Sequence, residues 1–383
     1  MGSKVYFIDF RATSKENIVD KIVRLCKTAG MNDLLNKDSL VAVKIHFGEK
    51  GNTAFIRPPY IRKILQCIKK TGATPFLTDA NTLYAGSRSD AVSHIKTAVD
   101  NGFSYSSMDA APVIIADGLR GKTETKVAID QKNCAHAYIG SEIVNADALV
   151  SIAHFKGHEL AGFGGTLKNL GMGCASRRGK LVQHSSVSPK VRKKSCIGCS
   201  ECIIHCPAGA IELIEKKARI DSEKCIGCGE CIIRCSNDAV KIRWDQNIPL
   251  FMEKMVEYTT GVLKNKKDSS FFINVIADIT PKCDCIPFND YPVVRDIGIL
   301  ASKDPVAIDH ASADLVNNEE ALPGSILRHN LRKGEDKIKG LYPKVDWQYQ
   351  LQYAEKLGLG TLSYELEKIE TLSHGMKIKS KQP

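Results

Sequence analysis

Eight of the fourteen cysteines fall in two runs of identical spacing, Cys196-x2-Cys199-x2-Cys202-x3-Cys206 and Cys225-x2-Cys228-x2-Cys231-x3-Cys235. Three thiolates two residues apart wrap a loop around one cube of iron and sulfide, with backbone N–H groups directed at its sulfides. Each run therefore has the pattern of a [4Fe–4S] site. In such a run the fourth cysteine ligates the neighbouring cluster. One cluster is expected on Cys196, Cys199, Cys202 and Cys235, the other on Cys225, Cys228, Cys231 and Cys206. Gly198 and Gly227 permit the tight turns and Gly229 loosens the second loop. Ile203, Ile204, Ile232 and Ile233 begin short covering helices, and Pro207 stops the first. Structural zinc also takes Cys-x2-Cys pairs, but needs four cysteines per ion and seldom a third at the next two-residue step. Two adjacent clusters relay single electrons or store a pair, and do no organic chemistry alone.

A second constellation follows the apolar run 146–154. There His154-Phe155-Lys156-Gly157-His158 leads into Ala161-Gly162-Phe163-Gly164-Gly165-Thr166-Leu167-Lys168-Asn169 and on to Cys174. In open α/β sheets ligands sit beyond the carboxyl ends of strands, and a glycine-rich turn there lets backbone N–H groups approach an anion. Lys156 and Lys168 would hold the anion, and His154 or His158 would move a proton or hold a metal. Gly162, Gly164, Gly165 and Asn169 would line the ligand. A structural role is open for any one of the histidines alone. The ends of two other strands point the same way, with Lys44 and His46 after one and Asp79 and Asn81 after the next. Cys283-Asp284-Cys285 is a weaker pattern, read either as two buried thiols or as a third metal site with Cys174 or a histidine.

These residues need a sheet to carry them. Short apolar runs at 4–10, 40–47, 74–79, 112–116 and 146–153 alternate with helical periodicity, the pattern of an α/β domain with a largely parallel sheet. Thr13 and Glu16 suggest a capping box for a helix whose Ile18, Ile22, Leu25 and Cys26 share one face and which Gly30 stops. Cys26 and Cys67 read as core. The fold class is α/β, a mostly parallel sheet domain interrupted by a small α+β insertion. Its first part is 1–175, followed by a basic, Ser-rich linker at 176–195, the two-cluster insertion at 192–243 and the second part at 244–370. That second part holds a helix near 248–264 and strands near 271–279 and 297–302. Residues 371–383 read as a solvated tail.

Composition is that of an ordinary globular chain, 43% hydrophobic and 25% charged. No apolar run reaches the roughly 18 residues that span a bilayer, and no export signal is visible. Cysteines spaced for metal indicate a reducing, cytoplasmic setting. The formal charge is +11. Two oxidised clusters at about −2 each would bring it near +7. That excess suits an acidic electron carrier or a merely solvated lysine-rich surface better than nucleic acid.

The stretches HFKGHELAGFGGTLKNLGMGC and CDCIPFNDYPVVRDIGILASKDPVAID, with the insertion between them, resemble the uncharacterised iron–sulfur centre proteins grouped as domain of unknown function 362. The resemblance runs over roughly residues 4–370. It implies an α/β domain interrupted by a two-[4Fe–4S] ferredoxin-type module, in bacteria and archaea with anaerobic metabolism. It implies no substrate. The functional expectation is a redox protein whose clusters exchange electrons between a soluble carrier and a crevice lined by His46, Asp79, His154, Lys156, His158, Lys168 and Asn169. There an anionic small molecule or bound cofactor is reduced. The alternatives are a non-enzymatic electron carrier or adaptor for a partner enzyme, and delivery of cluster or sulfur through Cys174, Cys283 and Cys285.

Overall fold

The computed structural model describes residues 2–184, 189–241 and 247–372. Eight strands form one sheet in the order Tyr364–Lys368, Ser3–Asp9, Gly298–Ser302, Ser270–Ile276, Ala148–His154, Leu40–Lys44, Thr74–Asp79, Val113–Ile115. Gly298–Ser302 runs antiparallel to both neighbours and every other pairing is parallel. The α/β class with a mostly parallel sheet is as expected.

The two central strands, Ala148–His154 and Ser270–Ile276, are buried at every residue. Alternate side chains feed two cores. Leu149, Phe272 and Ile276 pack on one face, and Val150, Ile152, Phe271, Ile273 and Val275 on the other. Such doubly covered strands read as continuous apolar runs, which is why they stand out in the sequence. Helix Ile248–Leu263 covers the first face. Helices Ile18–Thr28 and Pro58–Lys69 cover the second, with Cys26 and Cys67 in that core.

Three local expectations change. The first helix is capped one turn later, by a box of Asn17 and Asp20. Thr13 and Glu16 instead pair as a β-bridge, and the Glu16 carboxylate receives Arg24 at 2.5 Å and the Leu372 N–H at 2.9 Å. The basic stretch 176–195 opens as a helix, Arg177–His184, with Arg177, Gly179, Lys180, Leu181 and Gln183 buried. Its charges are buried through partners rather than through apolar periodicity. Residues 185–188 of that stretch lie outside the described residues. So do 373–383 of the expected tail, whereas Thr371 and Leu372 are tied to Lys21 and Glu16.

Within the insertion, Lys190–Val191 pairs with Val240–Lys241 and Ile211–Ile214 with Lys217–Ile220, around a small core of Cys196, Cys202, Ile211, Ala218, Cys231, Ile232 and Val240. The expected boundary at 243 lies in 242–246, outside the described residues. Among the described residues, no helix is long and apolar enough to cross a membrane.

Candidate functional site

The parallel strands end on one edge of the sheet, so Lys44, Asp79 and His154 come to the same side, with His46 and Lys156 just beyond. A cavity of about 590 Å³ opens there, within the roughly 300–1,000 Å³ typical of ligand sites. His46, Asp79, His154, Lys156, His158, Gly164, Gly165, Lys168 and Asn169 all line it. Gly162 does not. It holds a left-handed backbone (φ +79°) where a Cβ would strike Trp347. There it shapes the hairpin Lys156–His158/Gly162–Gly164, which the stacked Phe155 and Phe163 rings support at 4.8 Å.

Two buried networks fix the walls. Lys44 Nζ meets Asp79 Oδ1 at 3.0 Å and donates to Asn169 Oδ1 at 2.8 Å. Asn169 Nδ2 donates to Ser151 Oγ at 2.9 Å, so its amide positions Lys44. Arg88 joins Asp79 Oδ2 at 3.3 Å and Glu49 Oε2 at 3.2 Å. Burial would raise the Asp79 carboxyl, but Lys44 and His94 hold it well below the usual range. In the second network His154 Nδ1 lies 2.8 Å from Asp284 Oδ1 and its Nε2 lies 2.7 Å from the Ala277 carbonyl. Lys156 reaches Asp284 Oδ2 at 3.3 Å. Against burial, His154 and Lys156 hold Asp284 ionised far below its usual range.

His154 thus has both nitrogens engaged by the protein. His158 differs. Its Nδ1 accepts the Leu160 and Ala161 N–H groups at 3.3 and 3.1 Å, which leaves its proton on Nε2. Burial, then Lys168 and His184, push it well below the usual range, so it is neutral at pH 7. His46 is likewise pushed down, first by burial and then by Arg88. The glycine-rich turn is not an open anion cradle either. The Thr166 and Leu167 N–H groups donate to Asp309 Oδ1 and Oδ2 at 2.7 and 2.9 Å, so the fold supplies its own carboxylate. Side chains must hold an anion. Lys44, Lys50, Arg88, Lys156, Lys168 and Lys180 line the cavity against Glu49, Asp79 and Glu159.

The eight insertion cysteines line two small hollows. Cys196, Cys199, Cys202 and Cys235 surround one, and Cys206, Cys225, Cys228 and Cys231 the other, so the grouping crosses the two runs. The loops turn at Gly198, Ser200, Gly227 and Gly229, all at positive φ. Among the described residues no three His, Cys, Asp or Glu side chains converge as a single metal ion requires. The second hollow adjoins the cavity. Leu83 lines the cavity, packs in the insertion core and lies against Gly229, which borders that hollow. Arg177 fastens the contact, pairing with Glu230 at 3.2 Å with both side chains buried.

A family model described as a domain of unknown function (DUF362) matches residues 41–314. The chain belongs to this family. No curated protein matches it. Among solved structures it is similar to the lactate racemase apoprotein from Thermoanaerobacterium thermosaccharolyticum, at 15% identity and a TM-score of 0.37, over 71% of this chain and 51% of that one. A Thermotoga maritima protein is similar at 10% identity and a TM-score of 0.37, over 73% and 54%. The DUF362 chain spans about half the length of these two structures.

Several residues of this DUF362 cavity escape sequence reasoning. Arg88 sits alone in a Ser- and Gly-containing loop, and Lys180 lies in the stretch read as linker. Burial pushes Lys180 down to about 8 despite Asp117 and Asp79 nearby. Cys283 and Cys285 line the cavity, whereas Cys174 is buried beneath it with its thiol toward the Asn169 carbonyl. Asp284, between the two cysteines, gave no signal of its own.

Proposed function

We propose that this DUF362 protein is a cytoplasmic iron–sulfur redox protein that passes electrons between a soluble carrier and its cavity, where an anionic small molecule or bound cofactor is reduced. The observation that carries the reading is the placement of the cysteines. They form two groups of four, around two hollows, the second bordering the cavity at Leu83 and Gly229. The donor set suits two [4Fe–4S] clusters, held by Cys196, Cys199, Cys202 and Cys235 and by Cys206, Cys225, Cys228 and Cys231. When bound, the clusters supply single electrons at low potential. The first hollow is the outward one, since Cys199 is exposed.

The cavity's own residues do the rest. Lys44, Lys156 and Lys168 hold an anion, each set by a buried partner. Neutral His158 donates a hydrogen bond from Nε2. Lys180 is the proton source, because a group near 8 gives up its proton readily at neutral pH. His154 positions Asp284 and Lys156. The test is anaerobic mixing of reduced protein with a panel of anionic metabolites, followed by cluster absorbance. At least one should oxidise the native protein, and Lys180→Met should slow it by about 100-fold. Clusters left reduced by every metabolite would contradict the reading.

The electron carrier or adaptor stands as a second reading, favoured by Ile197, Ile204 and Ile226, exposed at 67, 72 and 46% around the clusters' loops. Oxidation by protein carriers alone, unaffected by cavity substitutions, would select it.

A further inference from the structure

Cys283 and Cys285 lie in a turn closed by the Ile286 N–H on the Cys283 carbonyl at 3.1 Å. Both line the cavity, and Lys168 Nζ lies 3.4 Å from Cys283 Sγ. Asp284 between them is buried in the ion pairs with His154 and Lys156, which pins the turn. The neighbouring Cys285 thiol, with Lys168 at 3.4 Å and Lys156 and against burial, holds Cys283 well below the usual thiol range. Cys285 is pushed well above it, first by Cys283 and then by burial. A thiolate beside a protonated thiol is the asymmetry of a nucleophile and its resolving partner. Cys26 and Cys67 are also neighbours, but within the hydrophobic core. Neither anion binding nor electron delivery calls for a thiol pair at this place.

We propose that Cys283 and Cys285 form a redox-active dithiol and that the cavity's substrate class is a small anionic disulfide. The proposal rests on the anion-binding reading of the cavity. The Cys283 thiolate attacks one sulfur of the substrate disulfide. Its S–S bond breaks, a mixed disulfide forms and one thiolate leaves beside Lys168. Cys285 then attacks the Cys283 sulfur, passing its proton to a departing thiolate. The internal disulfide forms and the second substrate thiol leaves. Restoring the dithiol takes two electrons and one proton from a low-potential reductant, the number of electrons that two one-electron centres hold.

The test uses the intact protein, anaerobically, with the anionic aromatic disulfide dithiobis(nitrobenzoate). Native protein should release two thiolates per chain in a fast phase and keep no adduct. Peptide mapping should find an internal disulfide, a loss of two hydrogens, across 283–285, with Cys26 and Cys67 unmodified. Cys285→Ser should release one thiolate and retain the adduct on Cys283. Neutral bis(4-nitrophenyl) disulfide, with nearly the same leaving group but no carboxylate, should react about tenfold more slowly or worse, and Lys168→Met should narrow that gap. A fast phase that survives in Cys283→Ser, an adduct without internal disulfide in the native chain, or equal rates for both disulfides would overturn the proposal. The burst needs no electron delivery. If it occurs but reduced clusters never regenerate the dithiol, the electron-transfer reading fails and the dithiol stands. If anions oxidise the clusters equally in native protein and Cys283→Ser, the dithiol fails and the cavity reading stands.

Discussion

His154 and His158 are four residues apart and equally buried, yet their surroundings give them different work. His154 is wedged between Asp284 and the Ala277 carbonyl. His154→Ala should leave the Asp284 charge with Lys156 alone and lower stability by about 3–5 kcal/mol, read by urea unfolding. His158→Phe should keep the stacking on Phe251 but strip the Leu160 and Ala161 N–H groups of their acceptor, costing about 1–3 kcal/mol, while weakening anion binding. Lys180 sets the pH dependence. Its folded-state value near 8 lies below the usual lysine range, so the folded state disfavours its charge. That penalty is fully present below about 8 and is relieved as pH rises toward about 10.4, where the unfolded lysine titrates. Anion affinity runs the other way. Sulfate binding followed by calorimetry should be tightest below pH 8 and fall above it, and Lys180→Met should abolish that step.

At the scale of elements, the short helix Thr166–Gly171 depends on a residue far along the chain. Asp309, in helix Pro305–Asn317, accepts the Thr166 and Leu167 N–H groups and the Asn274 amide. Asp309→Ala should cost about 2–4 kcal/mol and loosen Lys168 and Asn169 together, so melting temperature and anion affinity should fall in the same variant. What the sequence made legible follows from this geometry. Lys44, Asp79 and His154 could be read as neighbours because parallel strands present their carboxyl ends on one edge. The Thr166 turn could not, because its N–H groups are satisfied from a distance of more than 140 residues. Helix Arg177–His184 was hidden because its buried face carries Arg177, paired with the distant Glu230, and Lys180 beside a single leucine, Leu181. The first cap was misplaced by a turn because Thr13–Glu16 and Asn17–Asp20 both fit a capping box, and only the bridge between Thr13 and Glu16 separates them.

Over the whole molecule, the insertion is tied to the sheet domain beside Leu83, a residue of the cavity wall. Arg177 and Glu230 pair there, and Gly229 stands at φ +72° against Leu83, where a Cβ would lie 2.8 Å from Leu83 Cδ1. Gly229→Ala should therefore strain both backbone and contact, costing about 1–2 kcal/mol. It should show as faster proteolysis within 189–241 while sulfate still binds the cavity. The repeat formed by the two cysteine runs was legible in the sequence. The side of the sheet on which the insertion docks was not, since Leu83, Arg177 and Glu230 are separated in sequence and ordinary in type. Every step from carrier to cavity depends on what the two hollows hold. The direct measurement is iron and acid-labile sulfide analysis of anaerobically reconstituted protein, with electron paramagnetic resonance of its dithionite-reduced form. The account expects about eight iron and eight sulfide per chain and two interacting reduced-cluster signals. About one zinc per four cysteines, with no sulfide and no signal, would contradict it.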